Sequence, residues 1–256
     1  MRKHPMFFTS LFICATLLLA ACGNSAGSSP QESNTSSGAE SSSNSGQGTT
    51  TQATGLCANE FFPLRSDKTW KYTITSNDTT SDYSITFKDI TDNSFTAVQT
   101  FPNLTNEIAW QCGENGMLSS TFANMNFSSA TEVSIDTINV DGITLPPETG
   151  WNEGNIWDTS YTIKATINTN DTPIQAEGTI SLSNEIASKE SVTVPAGTYP
   201  EAYRVDSNGE MTINLMGTQT TLPLVYSTWY VKGVGMVKSS STDANLTYDM
   251  VLASFE

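Results

Sequence analysis

The chain has 256 residues, and its part from 56 onward, about 200 residues, is long enough for one sizeable core or two small ones. Its 26 acidic residues against 11 basic ones give a net charge of −15, which disfavours nucleic acid and anionic lipid surfaces as partners. The single histidine, His4, lies in a segment expected to be removed, and without an imidazole the Ser-His-Asp and Cys-His hydrolases and the histidine-ligated zinc and iron enzymes fall away.

Arg2, Lys3 and His4 give a basic start, and Phe7 to Ala21 follow as an apolar stretch broken only by Thr9, Ser10 and Thr16. That length suits a signal h-region and falls short of the roughly 20 residues needed to span a bilayer. Leu19-Ala20-Ala21-Cys22 then resembles a lipobox, with small residues beside the cut and a thiol to alkylate. Residues 1–21 are therefore expected to be a signal peptide, and Cys22 the acylated residue that ties the chain to a membrane. Loss of Arg2 and Lys3 leaves nine basic residues against 26 acidic ones, a net charge of −17.

From Cys22 to residue 55 the chain is almost all Ser, Gly, Asn, Thr, Gln and Ala, with Glu32 and Glu40 its only charges. Such a segment buries too little apolar surface to offset its ordering entropy, so a disordered tether is expected. Its end-to-end distance would be roughly 30 Å. The expected location is extracytoplasmic, lipid-anchored to a bacterial membrane. The outer membrane or cell surface is favoured, because Gly23 rather than Asp follows Cys22.

Residues 56–256 read as strands separated by polar turns. In chain order the clearest are 70–75, 83–88, 95–101, 107–112, 161–167, 174–182, 191–194, 202–205 and 246–255. Tyr83-Ser84-Ile85-Thr86-Phe87-Lys88 alternates apolar and polar residues, the period of two that marks a half-buried strand. No stretch keeps helical periodicity over three turns. The expected fold is mainly β: an antiparallel curved sheet, sandwich or open barrel, with two related halves sharing a core. Cys14 leaves with the signal and Cys22 is acylated, so two cysteines remain. In an oxidising compartment they allow one connectivity, Cys57–Cys112, which would fix the start of the domain to a strand near Trp110.

The two halves are suggested by Trp110-Gln-Cys-Gly-Glu-Asn-Gly116-Met117 and Trp229-Tyr-Val-Lys-Gly-Val-Gly235-Met236. Upstream, Pro63-Leu64 leads to Trp70, as Pro146-Pro147 leads to Trp157, giving repeats over 61–121 and 145–240. Each Gly allows a tight turn and each Trp supplies a large anchor for the core.

Three segments resemble a family of uncharacterised bacterial lipoproteins. They are Pro63-Leu64 through Trp70-Lys-Tyr72, Val194-Pro195-Ala-Gly197-Thr followed by Tyr203-Arg-Val205, and Trp229-Tyr230-Val-Lys-Gly233-Val-Gly235. Asp67 stands where that family favours Gly, although Gly154 keeps a Gly three residues before Trp157. The resemblance implies an extracytoplasmic β-rich domain, analogous to curved-sheet carriers of lipids and lipoproteins. It brings no reaction and no catalytic residues.

Pro195-Ala196-Gly197 is explained as a turn between strands, and Gly233-Val-Gly235 as a hairpin turn rather than a phosphate loop. The acidic pairs Asp78/Asp82, Asp89/Asp92 and Asp136/Asp141 lack EF-hand spacing and read as solvated turns. No catalytic residue, metal ligand or cofactor is assigned. Among the tryptophans Trp151 lies in a loop-like segment and is the one expected to be exposed for ligand contact. Ile213, Leu215, Leu222 and Leu224 are expected to wall a hydrophobic site or interface. The reading is a non-enzymatic lipoprotein that binds a hydrophobic small molecule or an envelope protein. A carbohydrate- or calcium-dependent binding module, or a purely structural envelope protein, stand as alternatives.

Overall fold

The computed structural model describes residues 52–76, 79–102, 104–121, 126–127, 132–169, 172–243 and 246–256. The expected signal, Cys22 and nearly all of the expected tether lie outside the described residues. Ala53, ahead of the expected boundary at 56, is buried, and its N–H donates to the Leu64 carbonyl at 3.2 Å.

Among the described residues thirteen strands form one sheet. They are β1 (Trp70–Ser76), β2 (Thr79–Lys88), β3 (Ser94–Phe101), β4 (Leu104–Gly113), β5 (Gly116–Ser119), β6 (Asn126–Phe127), β7 (Glu132–Gly142), β8 (Ile156–Thr169), β9 (Thr172–Val194), β10 (Gly197–Leu215), β11 (Thr218–Val231), β12 (Gly235–Asp243) and β13 (Leu246–Phe255). The spatial order is β5-β4-β3-β2-β1-β13-β12-β11-β10-β9-β8-β7-β6. Every neighbouring pair in that order but one is consecutive in the chain. The exception is β1 against β13, which closes the first strand onto the last with Tyr72 opposite Leu252.

The sheet curls until it is nearly closed. Met117 of β5 accepts from the N–H groups of Thr144 and Leu145 at 2.8 and 3.0 Å and donates to the Leu145 carbonyl at 2.9 Å, so the edge of β5 meets the chain leaving β7. Gly116 makes this approach feasible: it sits at φ +136°, and a Cβ there would fall 2.3 Å from the Leu145 carbonyl oxygen. Antiparallel sheets hide unpaired edges in this way.

One end of the inner face is filled by the N-terminal segment. Phe62 packs on Phe87, Phe95 and Trp110, and Phe61 stacks on Trp151 with ring centroids 4.4 Å apart. With Leu64, Trp70, Tyr72, Val237 and Leu252 these form the main core. The Cys57–Cys112 disulfide joins the short 3-10 turn Gly55–Cys57 to β4, as the cysteine count required.

Both Trp-x5-Gly-Met segments are hairpins, β4–β5 and β11–β12. Trp110 faces the core against Phe95, whereas Trp229 lies on the opposite face and its indole donates to Glu190 Oε1.

Candidate functional site

The longest strands carry the candidate site. In β9, 23 residues run unbroken, a length of roughly 75 Å at 3.3 Å per residue. β10 and β11 pair from Tyr203 opposite Tyr230 to Leu215 opposite Thr218, but β12 pairs with β11 only from Ser227 to Val231. Among the described residues the β11–β12 ladder stops at Ser227, with Ser241 still bonding the Val225 carbonyl, and the rest of β11 towards Thr218 is a sheet edge. Thr residues and Pro223 occupy it, and Pro223 offers no N–H for another strand. The far ends of β8–β11, with β7 beside β8, thus form an arm extending past the main core.

Residues paired directly across antiparallel strands share a face, so the register defines the arm's inner surface. Val140, Tyr161, Ile180, Met211 and Leu222 stand opposite one another across five strands. The flanking rows are Ile163, Gly178, Ile213 and Thr220 on one side, and Thr159, Leu182, Gly209 and Leu224 on the other. Tyr161, Ile163, Ile180 and Leu182 are buried together as a second core, distinct from the first, with Val140, Met211, Leu224 and Tyr226 packed on it.

The four aliphatic residues expected from sequence, Ile213, Leu215, Leu222 and Leu224, all fall on this inner face and are half-buried. Trp151 is not among them. It is 4 % exposed and belongs to the main core, stacked on Phe61 and edge-on to Tyr203 and Tyr230. Its segment does not project as a loop, because Asn59 Nδ2 donates to the Pro146 carbonyl and Gly154 N–H to the Ile186 carbonyl. The expected exposed role of Trp151 is therefore corrected.

Between the two cores runs a polar belt that the sequence reading missed. Asn184 Nδ2 donates to the Trp157 carbonyl and to Thr159 Oγ1, both at 3.3 Å, and Ser207 Oγ donates to Asn184 Oδ1 at 2.7 Å. Ser241 Oγ donates to the Val225 carbonyl, and Ser239 shares hydrogen bonds with Thr228 and the Tyr248 hydroxyl. All five Ser, Thr and Asn side chains at 184, 207, 228, 239 and 241 are buried. Burial pushes Tyr248 up to about 12, with the Ser239 hydrogen bond acting the other way. Burial also raises Tyr226, Tyr230, Tyr83 and Tyr72 above their ordinary value. A signal was present, since Asn184 and Ser207 hold inward positions in the strand alternation.

The charged side chains of the arm lie on the other face. Asp136, Lys164 and Glu177 stand in one outer row, and Asp141, Asp158, Glu185, Asp206 and Glu210 share its parity. Asp136 and Asp141 are thus in β7, where the sequence had suggested a turn. Asp82 accepts from Thr73, Asp92 from Thr54, and Asp78 is outside the described residues. Among the described residues no group of three His, Cys, Asp or Glu side chains is placed to hold a metal ion. Away from the arm, an open depression of about 450 Å³ is lined in part by Lys71 and Asp82. Lys71 is paired with Glu256 and Asp82 is bonded by Thr73, so neither carries an unsatisfied charge.

These features define a class: a one-sheet antiparallel meander, curled to near closure, whose arm bears a separate apolar inner face. The chain belongs to the DUF3108-like family, which matches residues 47–248 and is of uncharacterised function. Two solved structures are similar. A Bacteroides fragilis protein described as exported, with a YmcC-like fold, is 17 % identical and covers 78 % of this chain and 100 % of its own, at a TM-score of 0.48. A Parabacteroides distasonis protein described as a lipoprotein is 16 % identical, covering 77 % of this chain and 99 % of its own at a TM-score of 0.44. No curated protein matches the chain in sequence.

Proposed function

We propose that the chain is a lipid-anchored extracytoplasmic protein that binds a hydrophobic ligand on the inner face of the β7–β11 arm and catalyses no reaction. The observation that carries this reading is the second apolar cluster. Tyr161, Ile163, Ile180 and Leu182 are buried, while Ile213, Leu215, Leu222 and Leu224 beside them are only half-buried. Half-buried aliphatic side chains beside a buried apolar cluster leave apolar surface that a hydrophobic ligand would cover. The sequence at Leu19-Ala20-Ala21-Cys22 supports the anchor, and the acidic mature chain is consistent with a soluble outer surface held off the bilayer.

The test is native mass spectrometry of the full mature protein extracted from cell membranes. A co-purifying acyl species beyond the Cys22 modification is expected. A protein carrying only its own modification, which also fails to take up Nile red when folded, contradicts the reading.

A further inference from the structure

From Thr218 to Val225 the outer edge of β11 faces no other strand among the described residues. Which of its main-chain groups point outward follows from the hairpin. Met216 and Gly217 form a two-residue turn, so the flanking residues Leu215 and Thr218 are a hydrogen-bonded pair. Hydrogen-bonded and non-hydrogen-bonded pairs then alternate along β10 and β11. Gln219, Thr221, Pro223 and Val225 fall in pairs of the second kind, and their main-chain groups point away from β10. The Val225 carbonyl agrees, since it accepts from Ser241 Oγ on the β12 side. Gln219 and Thr221 are left with an outward N–H and C=O each.

Strand edges in monomers are guarded by charge, by proline or by a covering element. The edge of β5 is covered by the chain leaving β7. The edge of β11 has no charged guard: from Met211 to Val231 no residue is charged, in a chain with 26 acidic residues against 11 basic ones. Its one guard is Pro223, which lies beyond Gln219 and Thr221 and leaves their groups free. Apolar surface flanks the open edge: Met216 is 83 % exposed, and Leu215 and Leu222 are half-buried.

We propose that β11 is a dimerisation edge, to which a second copy of this chain adds antiparallel about a two-fold axis. The proposal does not depend on the ligand reading above. The edge is self-complementary. With Thr220 of each copy opposite Thr220 of the other, Gln219 faces Thr221 in both directions and their outward groups bond reciprocally. Leu222 of each copy lies opposite Thr218 of the other. Pro223 stands opposite the turn residue Gly217, past the end of the strand, where its missing N–H costs no bond. Charge also favours a like partner. Two strongly acidic copies approach each other best where neither is charged, and this edge offers nothing to a cationic chain.

The test is disulfide trapping of the full mature protein in membranes, using Thr220→Cys and Thr221→Cys, both at exposed positions. In the proposed register the two Thr220 positions form a non-hydrogen-bonded pair with Cα atoms about 4.5 Å apart, which a disulfide can bridge. The two Thr221 positions are diagonal neighbours on the opposite face, about 7–8 Å apart, which it cannot. Mild oxidation is expected to give at least about tenfold more reducible dimer from T220C than from T221C. Equal crosslinking of the two overturns the proposal. So does crosslinking of neither, the outcome that a membrane or an unrelated chain on this edge would give. Thr220→Lys supplies a second reading by sedimentation of the mature protein in detergent. Like charges directly opposite are expected to raise the dimer dissociation constant about tenfold at low salt, with most of the loss recovered at about 0.5 M salt. A parent protein that sediments as a monomer, an unchanged constant in T220K, or a loss that salt does not recover overturns the pairing.

Discussion

Removing the Cys57–Cys112 bridge tests how the N-terminal segment is held. The two half-cystines are 55 residues apart in sequence. By the loop-entropy relation, closing a loop of that length removes enough denatured-state freedom to stabilise by about 4 kcal/mol. The bridge also ties the turn before Phe61 and Phe62 to β4, and those rings fill the inner face against Trp151, Phe87 and Trp110. The double variant Cys57→Ala/Cys112→Ala keeps both sites apolar, which suits positions 0 % and 7 % exposed. For a domain of this size each kcal/mol shifts Tm by roughly 2–4 °C, so a fall on the order of 8–16 °C is expected. Thermal unfolding followed by circular dichroism, with and without reductant, reads it. The parent protein under reductant should approach the variant, and the variant itself should not respond. A variant that melts within about 2 °C of the parent would refute the reasoning, showing that the loop is already constrained when unfolded or that the segment holds without the bond.

Gly209→Ala should destabilise by at least about 2 kcal/mol in urea, because an added Cβ would fall 1.9 Å from the Ser181 carbonyl oxygen and backbone must move. Met216 and Gly217 form the β10–β11 turn with φ of +52° and +83°, a pair of positive angles that suits Asn-Gly. Met216 is 83 % exposed, so Met216→Asn should stabilise by up to about 1 kcal/mol, read as a higher urea midpoint at unchanged slope. Tyrosine titration should be biphasic. The folded pKa of Tyr248 is raised from 10.0 to about 12, so the unfolded state loses its proton first and stability is lost as pH rises from about 10 towards 12. Tyrosinate absorbance at 295 nm should then rise in a second step coincident with unfolding, and a single smooth transition near pH 10 would contradict the burial of these rings.

Much of the fold was legible because inward apolar residues alternate with outward polar ones. The strand expected at 246–255 has those bounds, and Tyr83, Ile85 and Phe87 point inward as their spacing required. The pattern failed where an inward position is polar. β9 was read as two short strands because Asn184 interrupts the apolar series, yet Asn184 is buried and bonded to Thr159 and Ser207. β7 was missed because Asp136 and Asp141 suggested turns, when both are outward residues of a strand. That Ile213, Leu215, Leu222 and Leu224 share one face was visible in local spacing. Trp151 was not, because what buries it is Phe61, far away in sequence, together with Tyr203 and Tyr230. Local pattern carries no information about contacts of that range.

The most direct measurement is photo-crosslinking of the full mature protein with a twelve-carbon monoacylglycerol bearing a terminal diazirine, followed by peptide mass spectrometry. Adducts are expected on the half-buried inward residues of β10 and β11, chiefly Met211, Ile213, Leu222 and Leu224. Adducts confined to outward residues, or spread without competition by unlabelled monoacylglycerol, would contradict a ligand seated on the inner face of the arm.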